Sequence, residues 1–574
     1  MKLHEGGARS AVVDPPAASG AAVTKPHEKP TLGVVMIVKD EEQNLGRILS
    51  DIRDVVDDIC VVDTGSTDST VSLAKSFGAK IGHFSWCDDF SAARNASIAL
   101  SESDYLLWLD ADDHVTQETA ASLRGLKSSL DPGKHTAYFL TLLNTPVTRG
   151  SLGSIQLRIF PNMEGVRFEG RIHEQILPSL KKISGIRFVN TGIAIHHTGY
   201  ADQSSLEAKR RRNLAIQLDE LAEGTDSGHR HFMIAITYYG LRDCDNCLEH
   251  IGEARKCSES EGWYLTSSFL ATDIHLRQGR MDEALQEAQD GVARFPKSGY
   301  MHYSLGMVLF GFERYGEAVQ SFLAAQRHGF EVDGYAKPSD IRAATSYSLG
   351  RALEKTGRSS QTAIAYRDSI EMNPDWPLPR KALGFALISE GKVDEALTHL
   401  EHAYGHGANE DVQVILALAR LYRHAGRTTD AHAVYLKALG SFPDDLRILA
   451  ATASTGIACG EMQHVESAIE RLMEIFGMNT DLKIESTEEL AVLCMLIGQR
   501  LFKQDQSAAA SAMAEASTTL DPRCWSARLL ASDISRAEGK MAPALSLLQD
   551  ALLSGAPLHE IKTRMALLDP GSPS

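Results

Sequence analysis

The feature that most constrains this chain is a change of period partway along it. From Thr31 to about Leu109, short β-rich runs alternate with amphipathic segments: TLGVVMIV, NLGRILSDIRDVV, DICVVD, STVSLAKSF, AKIGHF, FSAARNASIAL and YLLWLD. Apolar runs of this length, separated by helical periods, predict a doubly wound, Rossmann-like α/β sheet. From about residue 228 the strand pattern gives way to helix pairs. The alanines of GRMDEA (Ala284) and ERYGEA (Ala318) stand 34 residues apart, and those of GKVDEA (Ala396) and GRTTDA (Ala431) stand 35 apart. Pro296 and Pro443 each follow their alanine by twelve residues. One core cannot serve both periods, so the chain is expected to divide. Residues 1–30 read as a disordered lead-in, 31–227 as an α/β domain, 228–565 as an all-α solenoid of about eight or nine repeats, and 566–574 as a tail.

A doubly wound sheet gathers its ligands at the carboxyl ends of its strands. Here all four expected ends are acidic: Lys39-Asp40-Glu41-Glu42, Asp63, Asp88-Asp89, and Asp110-Ala111-Asp112-Asp113. The last emerges from the buried-strand pattern of YLLWLDADDHV. Carboxylates this close repel one another and are costly to bury, so something of opposite charge should hold them. Neither G-x-G-x-x-G nor G-x-x-x-x-G-K-[ST] follows the first strand, which argues against a dinucleotide oxidoreductase and a P-loop NTPase. A nucleotide diphosphate held through a divalent cation fits an acidic edge instead. Some of these residues also suit helix caps, and Ser66-Thr67-Asp68 is expected to cap the second helix.

The 58 basic and 75 acidic residues leave a formal charge of −17, which opposes a broad sequence-independent nucleic-acid surface. Eight scattered cysteines do not form a disulfide framework and fit a reducing, cytoplasmic setting. No apolar run has the length of a membrane-spanning helix, so no membrane insertion is expected, although peripheral association stays open.

VVMIVKDEEQNLGRILSDI, VVDTGSTDST, WCDDFSAARNASI and LLWLDADDHV are followed by RIFPNMEGVRFEGRIHEQ and AIHHTGY. Together they make residues 31–225 resemble a family 2 glycosyltransferase of the GT-A fold. SLGMVLF, SLGRALE and ALGFALI match tetratricopeptide repeats. The layout is similar to bacterial peptide S-glycosyltransferases and short lipopolysaccharide-core glucosyltransferases. The resemblance implies an inverting, metal-dependent enzyme that moves a sugar from a nucleotide-sugar, a UDP-sugar, to an acceptor chosen by the repeats.

It also implies roles residue by residue. Asp63 would bind the base, and the turn from Val38 to Glu41 would line the base and ribose. Arg94 and Asn95 would face the donor, with Arg94 neutralising phosphate. Asp110 would hold ribose and help with the metal, Mn2+ or Mg2+, and Asp112 would bind that metal. His197 would be a third ligand or a phosphate contact. The motif here reads His196-His197-Thr198-Gly199-Tyr200, whereas relatives often carry an aromatic before the glycine, so both histidines stay in play. Glu174 would take the proton from an incoming hydroxyl or thiol, with His173 beside it and Asp113 as the fallback base.

His173-Glu174 lacks the second histidine of a zinc-protease motif. Cys244-Asp245-Asn246-Cys247 has one half of a zinc site without a second pair nearby. A catalytically inactive scaffold, a transferase acting on a cell-envelope glycan, and a nucleotidyltransferase are the competing readings. The last would open with a glycine- and arginine-rich loop where Lys39-Asp40-Glu41-Glu42 stands. The concave face of the repeats is expected to take a peptide or protein acceptor, or to mediate self-association.

Overall fold

The computed structural model describes residues 29–568, apart from 132, 134, 145–153, 198–202, 224–226, 258–260, 331–337 and 481–483. Most of the expected lead-in, Thr198 to Tyr200 of the histidine motif, and most of the expected tail therefore lie outside the described residues. The chain forms two compact units, residues 1–259 and 260–574.

In the first unit the alternating pattern folds as expected. Strands β1 (Leu32–Val38), β2 (Asp58–Asp63), β3 (Lys80–His83) and β4 (Tyr105–Trp108) are separated by helices α1 (Leu45–Ile52), α2 (Thr70–Ser76) and α3 (Phe90–Ile98). The four strands run parallel in the order β3-β2-β1-β4. Along β1 the side chains alternate between two cores. Val34, Met36 and Val38 pack with Leu45, Ile48, Leu49 and Ile52 of α1, while Val35 packs with Cys60, Leu106 and Phe160 on the other face. Burial on both faces explains why these strands read as continuous apolar runs.

Beyond β4 the sheet changes character. A two-residue strand β5 (Asp113–His114), helix α4 (Gln117–Ser128), β6 (Thr136–Asn144), β7 (Ser154–Pro161), a short helix α5 (Leu177–Lys181) and β8 (Arg187–His197) follow in the chain. β7 joins β4 antiparallel, and the full order is β3-β2-β1-β4-β7-β6-β8-β5. β5 pairs antiparallel with the end of β8, setting Asp113 opposite His197 and His114 opposite His196. Sequence order turns back between β1 and β4, and an open α/β sheet leaves a crevice outside such a point.

Helix α6 (Gln203–Ala222) follows, and then the pair α7 (Gly228–Gly240) and α8 (Cys244–Cys257). Sequence period alone puts the boundary between residues 227 and 228. By contact, the first unit runs to Glu259, because α7 packs on α6 and α8 packs on α7. Cys247 is buried within this pair, and burial pushes its thiol up to about 12, which works against a metal-binding thiolate.

The second unit contains seventeen α-helices among the described residues, from α9 (Glu261–Arg277) to α25 (Leu558–Ala566), forming a tetratricopeptide-like solenoid. The recurring alanines Ala284, Ala318, Ala396 and Ala431 are fully buried where helices cross. One junction departs from the simple hand-over of each pair to the next. After α19 (Leu446–Cys459) and α20 (Met462–Ile475), helix α21 (Thr487–Lys503) barely touches α20. Instead α22 (Ser507–Leu520) packs on α19, around Leu449, Ala453, Ala510 and Met513. An ion pair between Arg423 of α17 (Val412–His424) and Glu515 of α22 ties the same region.

Candidate active site

A cavity of about 650 Å³ opens at the carboxyl ends of β1 and β4. Ile37 to Glu41, Thr64, Trp86, Phe90 and Arg94 line it, with Asp110 to Asp112, His197, Lys209, Arg212 and Asn213. The first turn arrives through Asp40, whose φ of 53° is left-handed and whose carboxylate Oδ1 accepts from the Thr67 backbone N–H at 2.7 Å. Strain of this kind persists only where neighbours hold it. Glu41 faces the cavity, and burial pushes its carboxyl up, against a hydrogen bond from Asn44 that pulls it down.

Asp63 ends β2 but is not in the cavity wall. Its oxygens accept from the backbone N–H groups of Ser66 at 3.0 Å and Gly65 at 3.3 Å. Burial alone would raise this carboxyl, but the hydrogen bonds from Ser66 and Gly65 outweigh it and hold it below the usual range. Gly65, at φ 109°, makes the turn that brings those donors round. Asp68 caps locally, accepting from the Thr70 backbone N–H at 2.9 Å. Ser69, the N-cap of α2, makes no side-chain capping bond.

Asp110, Asp112 and Asp113 have three different surroundings. Asp110 Oδ1 accepts from Arg94 Nη2 at 2.9 Å, and Arg158 lies 3.9 Å from its other oxygen. Burial pushes the Asp110 carboxyl up, but Arg94 and Arg158 overcome this and keep it below the usual range. At Asp112 burial pushes the carboxyl up, the His197 ring pulls it partly back, and Asp110 and Asp113 add to the rise. Asp113 is fully buried. Its Oδ2 accepts from Arg158 Nη1 at 3.0 Å and from the Asp110 backbone N–H at 2.9 Å, while Oδ1 lies 3.0 Å from His197 Nδ1. Full burial works against Asp113 as the fallback base.

Between the two histidines of the motif, the geometry favours His197. Its Nδ1 lies 3.0 Å from Asp113 Oδ1 and 3.4 Å from Asp112 Oδ1, and its ring lines the cavity. The bond to Asp113 raises its pKa against the opposing pull of burial. His196 pairs across to His114 and does not line the cavity. Among the described residues, potential metal ligands converge at Asp112, Asp113 and His197, with the Asp113 oxygens taken up by Arg158, the Asp110 backbone and His197. The donor set fits a hard divalent cation. A half-buried carboxylate whose neighbours resist its charge faces the cavity, and a histidine held through one nitrogen by a buried carboxylate has the arrangement common around metals.

Arg94, on α3, joins two parts of the site. Its Nε donates to Glu174 Oε1 at 2.6 Å while Nη2 holds Asp110. Its guanidinium lies 4.4 Å from the centre of the Trp108 ring. The charge expected to neutralise phosphate is therefore already shared between two carboxylates. Glu174 is largely buried and lies beside Arg94, outside the residues that line the main cavity. Asn95 turns away from the cavity and pairs with both backbone groups of Phe168, at 2.8 and 3.0 Å, fixing the loop that carries Glu174. His173 has a left-handed φ of 56° and lines a separate cavity of about 270 Å³, where its Nε2 lies 3.2 Å from Gln217 Nε2.

Sequence reasoning assigned no role to Arg158, Trp86, Lys209, Arg212 or Asn213. An arginine inside the apolar strand SIQLRIFP was the available signal for Arg158, since a buried charge requires a partner. The basic stretch on α6 carries no such mark, because charged helix faces are ordinarily solvated.

Residues 33–125 match the family described as Glycosyl transferase family 2, and residues 270–331, 387–454 and 495–558 match tetratricopeptide repeats. A TPR repeat-containing protein of Synechococcus elongatus is 40% identical over 150 residues, covering 26% of this chain and 36% of that protein. The SPbeta prophage-derived glycosyltransferase SunS of Bacillus subtilis is 26% identical over 195 residues, covering 33% of this chain and 44% of that protein. The chain thus spans less than half the length of these curated relatives. The solved structure of PilF from Pseudomonas aeruginosa overlaps 38% of this chain and 93% of its own, at 15% identity and a TM-score of 0.34. Among the described residues no helix is long and apolar enough to cross a membrane.

Proposed function

We propose, on the premise that an N-terminal family 2 glycosyltransferase domain is joined to tetratricopeptide repeats, that the chain transfers a sugar from a nucleotide-sugar to an acceptor with inversion. The observation that carries this reading is Arg94, which holds Asp110 and Glu174 together beside the cavity that Asp112 and His197 line. In the reaction, the bond between the anomeric carbon and the diphosphate oxygen breaks, and its electron pair leaves with the nucleoside diphosphate. A lone pair of the acceptor oxygen or sulfur forms the new bond on the opposite face of the sugar, and Glu174 takes the acceptor's proton. Arg94 occupies Glu174 Oε1 and leaves Oε2 for that proton.

The turn from Val38 to Glu41 is suited to the nucleoside, and Asp63 supports this wall by ordering Gly65 and Ser66 rather than by touching the base. Asp112 and His197 would hold Mn2+ or Mg2+, with Asp113 and Arg158 orienting the histidine from behind. When bound, the cation supplies charge stabilisation to the departing diphosphate. A UDP-sugar is the donor we favour. A peptide or protein is the acceptor favoured by the repeats, which supply surfaces of that kind. We take the catalytic domain as residues 31–227 and the repeats as 228–565.

The test is a hydrolysis and transfer screen of nucleotide-sugars with Mn2+ or Mg2+. Wild type should turn over a UDP-sugar, and Asp112→Ala should lower the rate by on the order of a hundredfold or more. Glu174→Gln should leave donor binding nearly intact and lower transfer by a similar factor. No binding or turnover of any nucleotide-sugar, with Asp112→Ala indistinguishable from wild type, would reduce the domain to an inactive scaffold.

A further inference from the structure

Lys209, Arg212 and Asn213 stand on one face of α6 and enter the wall of the cavity that also holds Asp110 and Asp112. α6 lies outside the span that matches the transferase family. The rest of the wall is poorly suited to an anion. Asp40, Glu41, Asp110 and Asp112 all line it, and Arg94 is already held by Asp110 and Glu174. Lys209 and Arg212 differ from Arg94, because neither ion-pairs with a carboxylate among the described residues. Arg212 is placed by its guanidinium, 5.1 Å from the centre of the Phe90 ring, and by a hydrogen bond to Asn213 Oδ1 at 3.3 Å. The side chains of Lys209 and Arg212 are both exposed at the cavity wall, so an anion entering the cavity can reach them. The charge of Lys209 reaches Glu41 and Asp112.

We propose that Lys209 and Arg212 form a grip for the donor's diphosphate that works without the metal ion. This rests on the nucleotide-sugar reading above. Arginine suits two phosphate oxygens through its fork, and lysine supplies a compact point charge beside it. When the bond to the anomeric carbon breaks, the extra negative charge falls on oxygens that face these two cations.

Binding of UDP, UMP and uridine to the full chain tests this, each with EDTA or with Mn2+, by calorimetry and by the fluorescence of Trp86 in the cavity wall. Lys209→Ala and Arg212→Ala should each weaken UDP roughly tenfold in EDTA while leaving uridine unchanged. Arg212→Lys should recover part of the loss. Arg211→Ala, which removes an exposed arginine paired with Glu207, should bind UDP as wild type does. Lys209→Gln and Arg212→Gln replace any alanine variant that fails to fold.

If wild type binds UDP and the variants bind it equally well, the grip is overturned and the transferase reading stands. Equal losses for UDP and uridine also overturn it, since they would report a damaged wall. If wild type binds no nucleoside diphosphate, with UDP, GDP and ADP all tried and with or without Mn2+, the transferase reading falls first and takes the grip with it.

Discussion

Arg158 and Asp113 are almost wholly removed from water, 1% and 0% exposed, and they hold the floor of the site. Arg158 stacks 3.6 Å from the centre of the Trp108 ring, donates to the Trp108 carbonyl at 3.3 Å, and ion-pairs with Asp113 at 3.0 Å. Losing one partner strands a buried charge, which costs more than losing both. Arg158→Leu should therefore destabilise the first unit by about 3–5 kcal/mol. The double variant Arg158→Leu/Asp113→Leu should cost clearly less than the sum of the two single changes, measured by urea unfolding followed through tryptophan fluorescence. Three carboxylates in four residues announced a charged site in the sequence, but not their separate duties. Those depend on β7 bringing Arg158 beneath Asp113 and on β8 bringing His197 beside it. Both contacts span more than forty residues of chain, and local spacing does not encode them.

At the scale of elements, the repeat signature has a packing cause. In SLGMVLF, SLGRALE and ALGFALI the glycines are Gly306, Gly350 and Gly384. A methyl group at each would meet Phe322 at 2.6 Å, Tyr366 at 2.5 Å and Leu400 at 2.7 Å, so the absence of a side chain lets the second helix of each pair close on the first. Gly350→Ala should thus cost roughly 1–3 kcal/mol through overpacking. Gly316→Ala, where nothing lies within 4 Å, should instead gain about 0.4–1 kcal/mol. Denaturant midpoints of the two variants should move in opposite directions. Continuous apolar runs separated by helical periods made β1 to β4 readable in advance, and spacings of 34 and 35 did so for the repeats. The segment from β6 to β8 escaped because its strands pair in mixed directions across long connections, and β5 is only two residues long. The cationic face of α6 escaped for a different reason: a basic helix reads as solvated until a cavity is found beside it.

Across the molecule, buried histidines set a pH dependence in the second unit. Burial draws His399, His402 and His432 below the ordinary histidine range. His432 lies between Thr455 Oγ1 at 2.9 Å and His464 Nδ1 at 3.2 Å. The unfolded chain takes up protons near pH 6.5, whereas the folded chain takes them up only at lower pH. The stability these groups contribute is complete above about pH 6.5 and drains away as pH falls below it. Urea midpoints of the second unit should therefore fall between pH 7.5 and 5.5, and His432→Gln should flatten that slope. A slope unchanged by the substitution would remove His432 from the account.

The junction at which α22, and not α21, rests on α19 bears on how such an array changes over generations. Tandem arrays gain and lose whole modules readily, because each copy offers its neighbour the same surface. A duplicate of an upstream pair inserted after α20 would bring its first helix to a surface shaped for a second helix. An added pair should therefore be accommodated more readily on the amino-terminal side of α19 than between α20 and α21.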